Sequence, residues 1–245
     1  MADPQSGDFT GFRPAAMTFL RRRARHNTRA WFASHRPDYE QHVRLPLRSL
    51  VEEMDVRFAR IAPEITGDPR RSIFRIHRDV RFSRDKSPYK THASCWFYHR
   101  DAGRQVGQEA DAGSAGFYFQ ISPTESFMGG GIWMPPRGSL ARIRDALAED
   151  PEGFSQTVTS PAVRRRFGGL DQEAMLKRLP RGFEPGHPAE RWLRYQSFTL
   201  GRALTPDEAL HPRLADRLER DFARLVPLVR WLNRALGYPP AESRL

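Results

Sequence analysis

The sequence predicts an α+β protein in which an antiparallel β-meander is flanked by N-terminal and C-terminal helices. Apolar residues recur at helical spacing at both ends of the chain, as Leu47, Leu50, Met54 and Phe58 and again as Leu214, Leu218, Phe222 and Leu225. Between them, consecutive β-prone runs follow one another as neighbouring antiparallel strands do. No internal repeat, low-complexity tract or interdomain linker interrupts the 245 residues. Residues 1–8 are expected to form a disordered tail and residues 9–245 a single domain.

Each element has a local cause. Pro14 opens a first helix through Met17, Leu20 and Ala24, ended near Asn27. Asn27 or Thr28 caps the next, which carries Trp31 and Phe32. Helical periodicity continues to Ile61, with Pro46 restarting or kinking it. Ile73–Phe82, bounded by Gly67-Asp68-Pro69 and by Ser83 to Pro88, reads as a strand. Ala93–Tyr98, Ala115–Ile121 and Glu125–Met134 supply the meander, with a polar loop from Arg100 to Ser114 and a turn at Ser122-Pro123-Thr124. Gly129-Gly130-Gly131 lies inside the last strand, where glycine marks a bulge or a close backbone approach by ligand or neighbour. Pro136–Ala148 reads as an amphipathic helix, residues 151–170 as one or two short helices broken by Gly168-Gly169, and Leu179–Pro188 as irregular. Trp192–Leu200 is a short helix or strand, and His211–Leu236 a long helix containing Pro227.

The densest chemistry lies in Arg75–His92, RIHRDVRFSRDKSPYKTH, where six Arg/Lys meet two carboxylates, Asp79 and Asp85. On a period of two, Phe74, Ile76, Val80 and Phe82 share one face with Arg78 among them. The opposite face reads Arg75, His77, Asp79, Arg81, and the following loop carries Lys86, Tyr89 and Lys90. Arg75, Arg81, Lys86 and Lys90 are expected to bind a small anionic, phosphorylated ligand, with Tyr89 and His92 orienting it. The alternative is a structural network in which Asp79, Asp85 and distant glutamates neutralise the arginines. Arg78 is assigned to that structural role, because a cation on an apolar face must be paired. Asp79, His77 and His187 are the acid/base candidates, although flanking arginines lower the pKa of Asp79 and suit it better to ion pairing. Tyr89 equally fits a packed aromatic that fixes the loop.

His92, Cys95 and His99 have a spacing that suggests zinc, but on a strand His92 faces away from the other two, so no metal is expected. Neither nucleotide-loop motif is present, and the sequence names no cofactor. The net charge of +11 admits an anionic small molecule or nucleic acid as partner. A nucleic-acid reading would join Arg21, Arg22, Arg23 and Arg25 to the Arg75–Lys90 face, but no DNA- or RNA-binding motif accompanies them, and a solvated helix face is favoured for the first cluster. Cys95 is the only cysteine, which excludes an intrachain disulfide and fits a reducing compartment. With no leader-like apolar run at the N-terminus and no stretch near the ~18 apolar residues of a membrane span, a cytoplasmic location is expected.

The pattern R-x-x-R-D-x-R-F-x-x-x-K-x-P-Y-K, here Arg75, Arg78, Asp79, Arg81, Phe82, Lys86, Pro88, Tyr89 and Lys90, is similar to the signature of the DUF2461 family. The resemblance extends to Phe9–Phe12, to Asn27-Thr28-Arg29 with Trp31-Phe32, and to Phe127–Pro135. It continues through Arg181-Gly182-Phe183, His187-Pro188, Trp192-Leu193 and Ser197-Phe198, and so covers nearly the whole chain. It implies no reaction. The family signature closes on Asn where this chain has His92, which substitutes a titratable ring for an amide.

Overall fold

The computed structural model describes residues 9–81, 83–103 and 113–241. The expected tail and most of the polar loop before Ser114 lie outside the described residues. Helix α1 (Pro14–Arg25) begins at its proline, and α2 (Arg29–Ser34) begins at Thr28, whose hydroxyl accepts the Trp31 N–H at 3.2 Å. Helix α3 (Arg36–Tyr39) passes through a π-helical turn, Glu40–Arg44, into α4 (Leu45–Ile61) without a break. Pro46 has no N–H to offer the preceding turn, and the chain widens there, the Leu45 N–H reaching five residues back to the Glu40 carbonyl.

The sheet is antiparallel and runs in chain order: β1 (Ile65–Thr66), β2 (Ala93–His99), β3 (Gly116–Ile121), β4 (Ser126–Ile132) and β5 (Phe198–Leu204). Helices α5 (Arg137–Glu149), α6 (Pro151–Thr159), α7 (Pro161–Phe167) and α8 (Glu190–Leu193) lie between β4 and β5 in sequence. Helices α9 (Pro206–Ala209) and α10 (Leu214–Ala235) follow β5. The fold is α+β, with helices at both ends of the chain. No helix among the described residues is long and apolar enough to cross a membrane.

One sheet face packs on α4 and α10. The Phe58 ring lies 5.0 Å from Phe97 and 5.2 Å from Phe117, and Phe222 lies 4.8 Å from Phe117. Gly130 is on this face, where a Cβ would press on the Phe117 ring at 2.9 Å. Strand β4 pairs with β5 without interruption from Ser126 to Ile132, so its glycines make a close approach and no bulge. At Gly131, with φ +132°, a Cβ would collide with the Phe198 carbonyl.

Ile73–Phe82 is not the regular strand that its alternation suggests. Ile73 bridges Cys95, and the Phe74 N–H donates to the Ser94 carbonyl at 3.0 Å. The chain then leaves β2 and pairs with its own loop, His77 bridging Tyr89 and the Lys90 N–H donating to Ile76. Because the pairing is split between two partners, no continuous ladder forms. The alternation survives in exposure alone, with Arg75, His77, Asp79 and Arg81 outward and Phe74, Ile76, Arg78 and Val80 half-buried. A second correction concerns α1: Arg23, expected on a solvated face, is fully buried.

Candidate anion-binding cleft

The stretch of irregular chain before β2 is held against the N-terminal helices by one side chain. Asn27 donates from Nδ2 to the Tyr89 carbonyl at 2.8 Å and accepts the Tyr89 N–H on Oδ1 at 3.0 Å. The amide thus completes both backbone groups of Tyr89 as a neighbouring strand would. The buried Tyr89 ring lies 4.6 Å from Phe32 of α2 and 5.2 Å from His77.

A cleft of about 650 Å³ opens between this segment and helices α2–α4. Its apolar walls include Phe32, Tyr39, Ile73, Ile76 and Tyr89. Its charged lining is one-sided: Arg29, Arg36, Arg44, Arg48, Arg70 and Arg75 against a single carboxylate, Glu40. Glu40 binds Arg44 at 3.0 Å and lies 3.9 Å from Arg36. Arg29, Arg70 and Arg75 make no ion pair among the described residues. The π-helical turn carries Glu40 and Arg44 at the cleft wall, and such turns are frequent at functional sites.

Arginines elsewhere are used differently. Asp221 of α10, 2% exposed, receives two bonds of 2.8 Å from Arg166 of α7 and one of 2.9 Å from Arg202 of β5. Arg202 also binds Glu208 of α9 at 2.9 Å. Arg230 grips the buried Glu64 at 2.7 Å, and Arg57 joins Glu53 and Asp216 at 2.7 and 2.9 Å. These pairs fasten helices to each other and to the sheet, and Arg29, Arg70 and Arg75 of the cleft take part in no ion pair of this kind among the described residues.

The residues singled out from sequence divide between different places. Arg75, His77 and Tyr89 line the cleft. Lys90 and His92 line a second cavity across Phe74, and the Lys90 ammonium lies 5.1 Å from the centre of that ring. Arg81 and Lys86 line neither. Arg81 clasps Asp79 at 2.7 Å on the surface, and Lys86 donates to the Val80 carbonyl at 2.9 Å. The hydrogen bonds from Arg81 hold the Asp79 carboxyl at about 2, so it is an anion at neutral pH and has no proton to give. Arg78 binds Asp85, Ser87 and Ser83 within its own loop. His187 accepts the Ala189 N–H ahead of α8 and lines neither cavity. Burial, and then the charges of Lys90 and Arg23, push the His92 imidazole down to about 4. Burial likewise pushes the Cys95 thiol up, as expected of a packed side chain and not of a nucleophile.

Reading the sequence alone missed most of the cleft. Arg29, Arg36, Arg44, Arg48 and Arg70 are dispersed over helices and a turn, and only the fold brings them to Arg75. Arg29 carried a signal, since it is part of the Asn27-Thr28-Arg29 run on which the family resemblance rests.

The fold and cleft define an α+β protein with a one-sided cationic depression beside an aromatic-walled one. Residues 15–231 match the family described as conserved hypothetical protein (DUF2461), and the chain belongs to that family. Comparison with curated proteins and with solved structures gives no match.

Proposed function

We propose that this chain binds a small, phosphorylated anion in the arginine cleft. The observation that supports the reading is the charge imbalance: six arginines and one glutamate line about 650 Å³, and Arg29, Arg70 and Arg75 make no ion pair among the described residues, Asp79 acting on Arg75 only at longer range. Guanidinium forks match phosphate oxygens bidentately, and the apolar floor of Phe32, Ile73 and Ile76 accommodates the uncharged part of the ligand. For turnover, the cleft offers electrostatic stabilisation of developing negative charge, with His77 the one imidazole on its wall. Asp79, tied to Arg81, and His187, remote from the cleft, are left out of this site.

A nucleic-acid reading draws less support. Arg23, one of the four arginines of the α1 cluster, is buried, and none of the four lines the cleft. The test is a thermal-shift series with pyrophosphate, nucleotides, sugar phosphates and short oligonucleotides at two salt concentrations. A ligand at a hundred times its dissociation constant stabilises by roughly 2.7 kcal/mol. That shift is expected from phosphorylated small molecules and should vanish in Arg29→Ala and Arg75→Ala. Stabilisation by oligonucleotides alone, falling steeply with salt, would replace this reading with the nucleic-acid one.

A further inference from the structure

Three arginines stand in the last turn of α1, Arg22, Arg23 and Arg25, and one of them is turned inward. Arg23 is fully buried. The reason is its place in the helix. Ala16, Phe19, Leu20 and Arg23 follow one another at spacings of three and four, so they share the face that packs on the core, and all four are buried. An apolar residue at the fourth place would complete that stripe. The arginine instead puts a cation into the core.

That cation is poorly answered. Nη2 donates to the His92 carbonyl at 3.2 Å, while Nε and Nη1 have no partner and no carboxylate acts on the group among the described residues. The guanidinium carbon lies 5.8 Å from the centre of the Phe19 ring, and the C-terminal end of α1 adds the favourable pole of the helix. Neither replaces a counter-ion. The buried carboxylates of this chain are treated otherwise, Asp221 and Glu64 each being gripped by arginine. Replacing a buried ion by an apolar residue of similar size commonly leaves a protein as stable or more so, so the fold by itself gives no reason for Arg23.

Beyond Arg23 lies the arginine cleft. Tyr39, which ends α3 and is 8% exposed, forms part of the cleft wall. Its ring is 5.9 Å from Phe19, the same ring that Arg23 lies over. Burial raises the Tyr39 phenol above its ordinary value, and the charges of Arg23 and then Arg44 act against that rise. Arg44 lines the cleft and Arg23 does not, so this wall residue feels one cation inside the cleft and another from outside its lining. Arg23 has no surface with which to touch a ligand. Its charge still acts, because burial leaves it little screened by water or salt.

We propose that Arg23 is a supporting cation of the cleft, which raises affinity for a multiply charged anion from behind the Tyr39 wall without touching it. This rests on the anion reading of the cleft and adds the class of ligand to it. A charge acting at a distance favours a ligand in proportion to the charge that the ligand carries, so a pyrophosphate-like group gains more than a single phosphate.

Pyrophosphate and inorganic phosphate are titrated calorimetrically into wild type, Arg23→Met and Arg23→Leu at neutral pH, with urea unfolding of each protein beside them. Both substitutions complete the apolar stripe and remove the charge. Both variants should unfold at the same urea concentration as wild type or a higher one. They should bind pyrophosphate roughly tenfold more weakly and inorganic phosphate only about fourfold more weakly. An arginine that merely held the fold would give a lower urea midpoint, and the folded protein would keep its affinity or lose it equally for the two anions. Either of those patterns, or failure of both variants to fold, overturns the proposal and leaves the cleft reading to be judged on wild type and Arg75→Ala. If wild type binds neither anion, the cleft reading falls and this proposal with it.

Discussion

At the scale of single residues, His92 is the position where this chain departs from the family signature, and its surroundings make the departure measurable. The folded imidazole is held at about 4 by burial and by the nearby Lys90 and Arg23 charges. An unfolded histidine titrates near 6.5, so between these values the unfolded chain binds the extra proton. Stability from this group is therefore complete above about pH 6.5 and is lost as pH falls towards 4, with a slope of at most roughly 1.4 kcal/mol per pH unit. Urea unfolding of wild type and His92→Asn across this window should show the slope in the first and its loss in the second. Equal slopes would mean that the ring is solvated. Asp79 and Asp85, held at about 2 in the fold against 3.8 unfolded, also lose stability as pH falls towards 4, so the histidine contribution is read as the difference between the two proteins, which share these carboxyls. Arg23 is the companion oddity. It is fully buried, donates one bond of 3.2 Å to the His92 carbonyl, and has Nε and Nη1 unanswered among the described residues. Burial holds its pKa down at about 10, still a cation at neutral pH.

At the scale of elements, the C-terminal helix is where arginine serves the fold. Asp221 on α10 gathers Arg166 from α7 and Arg202 from β5, so one carboxylate ties three elements. Asp221→Ala would leave two guanidinium groups facing each other without their shared anion. Arg202 keeps Glu208 and Arg166 is 41% exposed, so the loss is that of charge-assisted hydrogen bonds, about 1–3 kcal/mol, to be read by chemical denaturation of the variant. Elements were unevenly legible in the sequence. The helices declared themselves, because Leu47, Leu50, Met54 and Phe58, or Leu218, Phe222, Leu225 and Val229, each mark one face at helical spacing and all are buried. The meander was legible from its β-prone runs. Ile73–Phe82 misled, because alternation reports which side chains face solvent and says nothing of whether a partner strand continues alongside. The outer sheet face was hidden for a related reason: placing Trp96 beside Tyr118 and Gly129 needs the register, which no single strand encodes. The glycine triplet alone pointed there.

At the scale of the whole molecule, an excess of +11 looks uniform in composition but is sorted in space. Arg57, Arg166, Arg202 and Arg230 are answered by carboxylates and hold helices together. Arg29, Arg70 and Arg75 line a shared cleft and are answered by no carboxylate within ion-pair distance among the described residues. The motif from Arg75 to Lys90 is split by the same logic, with Arg78 and Arg81 binding carboxylates of its own loop and Arg75 lining the cleft. We propose that the arginines divide into those that hold the fold and those that bind a ligand. The most direct test of this division is calorimetric titration of pyrophosphate into wild type, Arg75→Ala and Arg202→Ala, with the stability of each measured beside it. Arg75→Ala should unfold within about 0.5 kcal/mol of wild type but bind pyrophosphate at least roughly tenfold more weakly. Arg202→Ala should be clearly destabilised yet, while folded, bind as wild type does. Equal affinity in all three proteins, or an Arg75→Ala variant as unstable as Arg202→Ala, would contradict it.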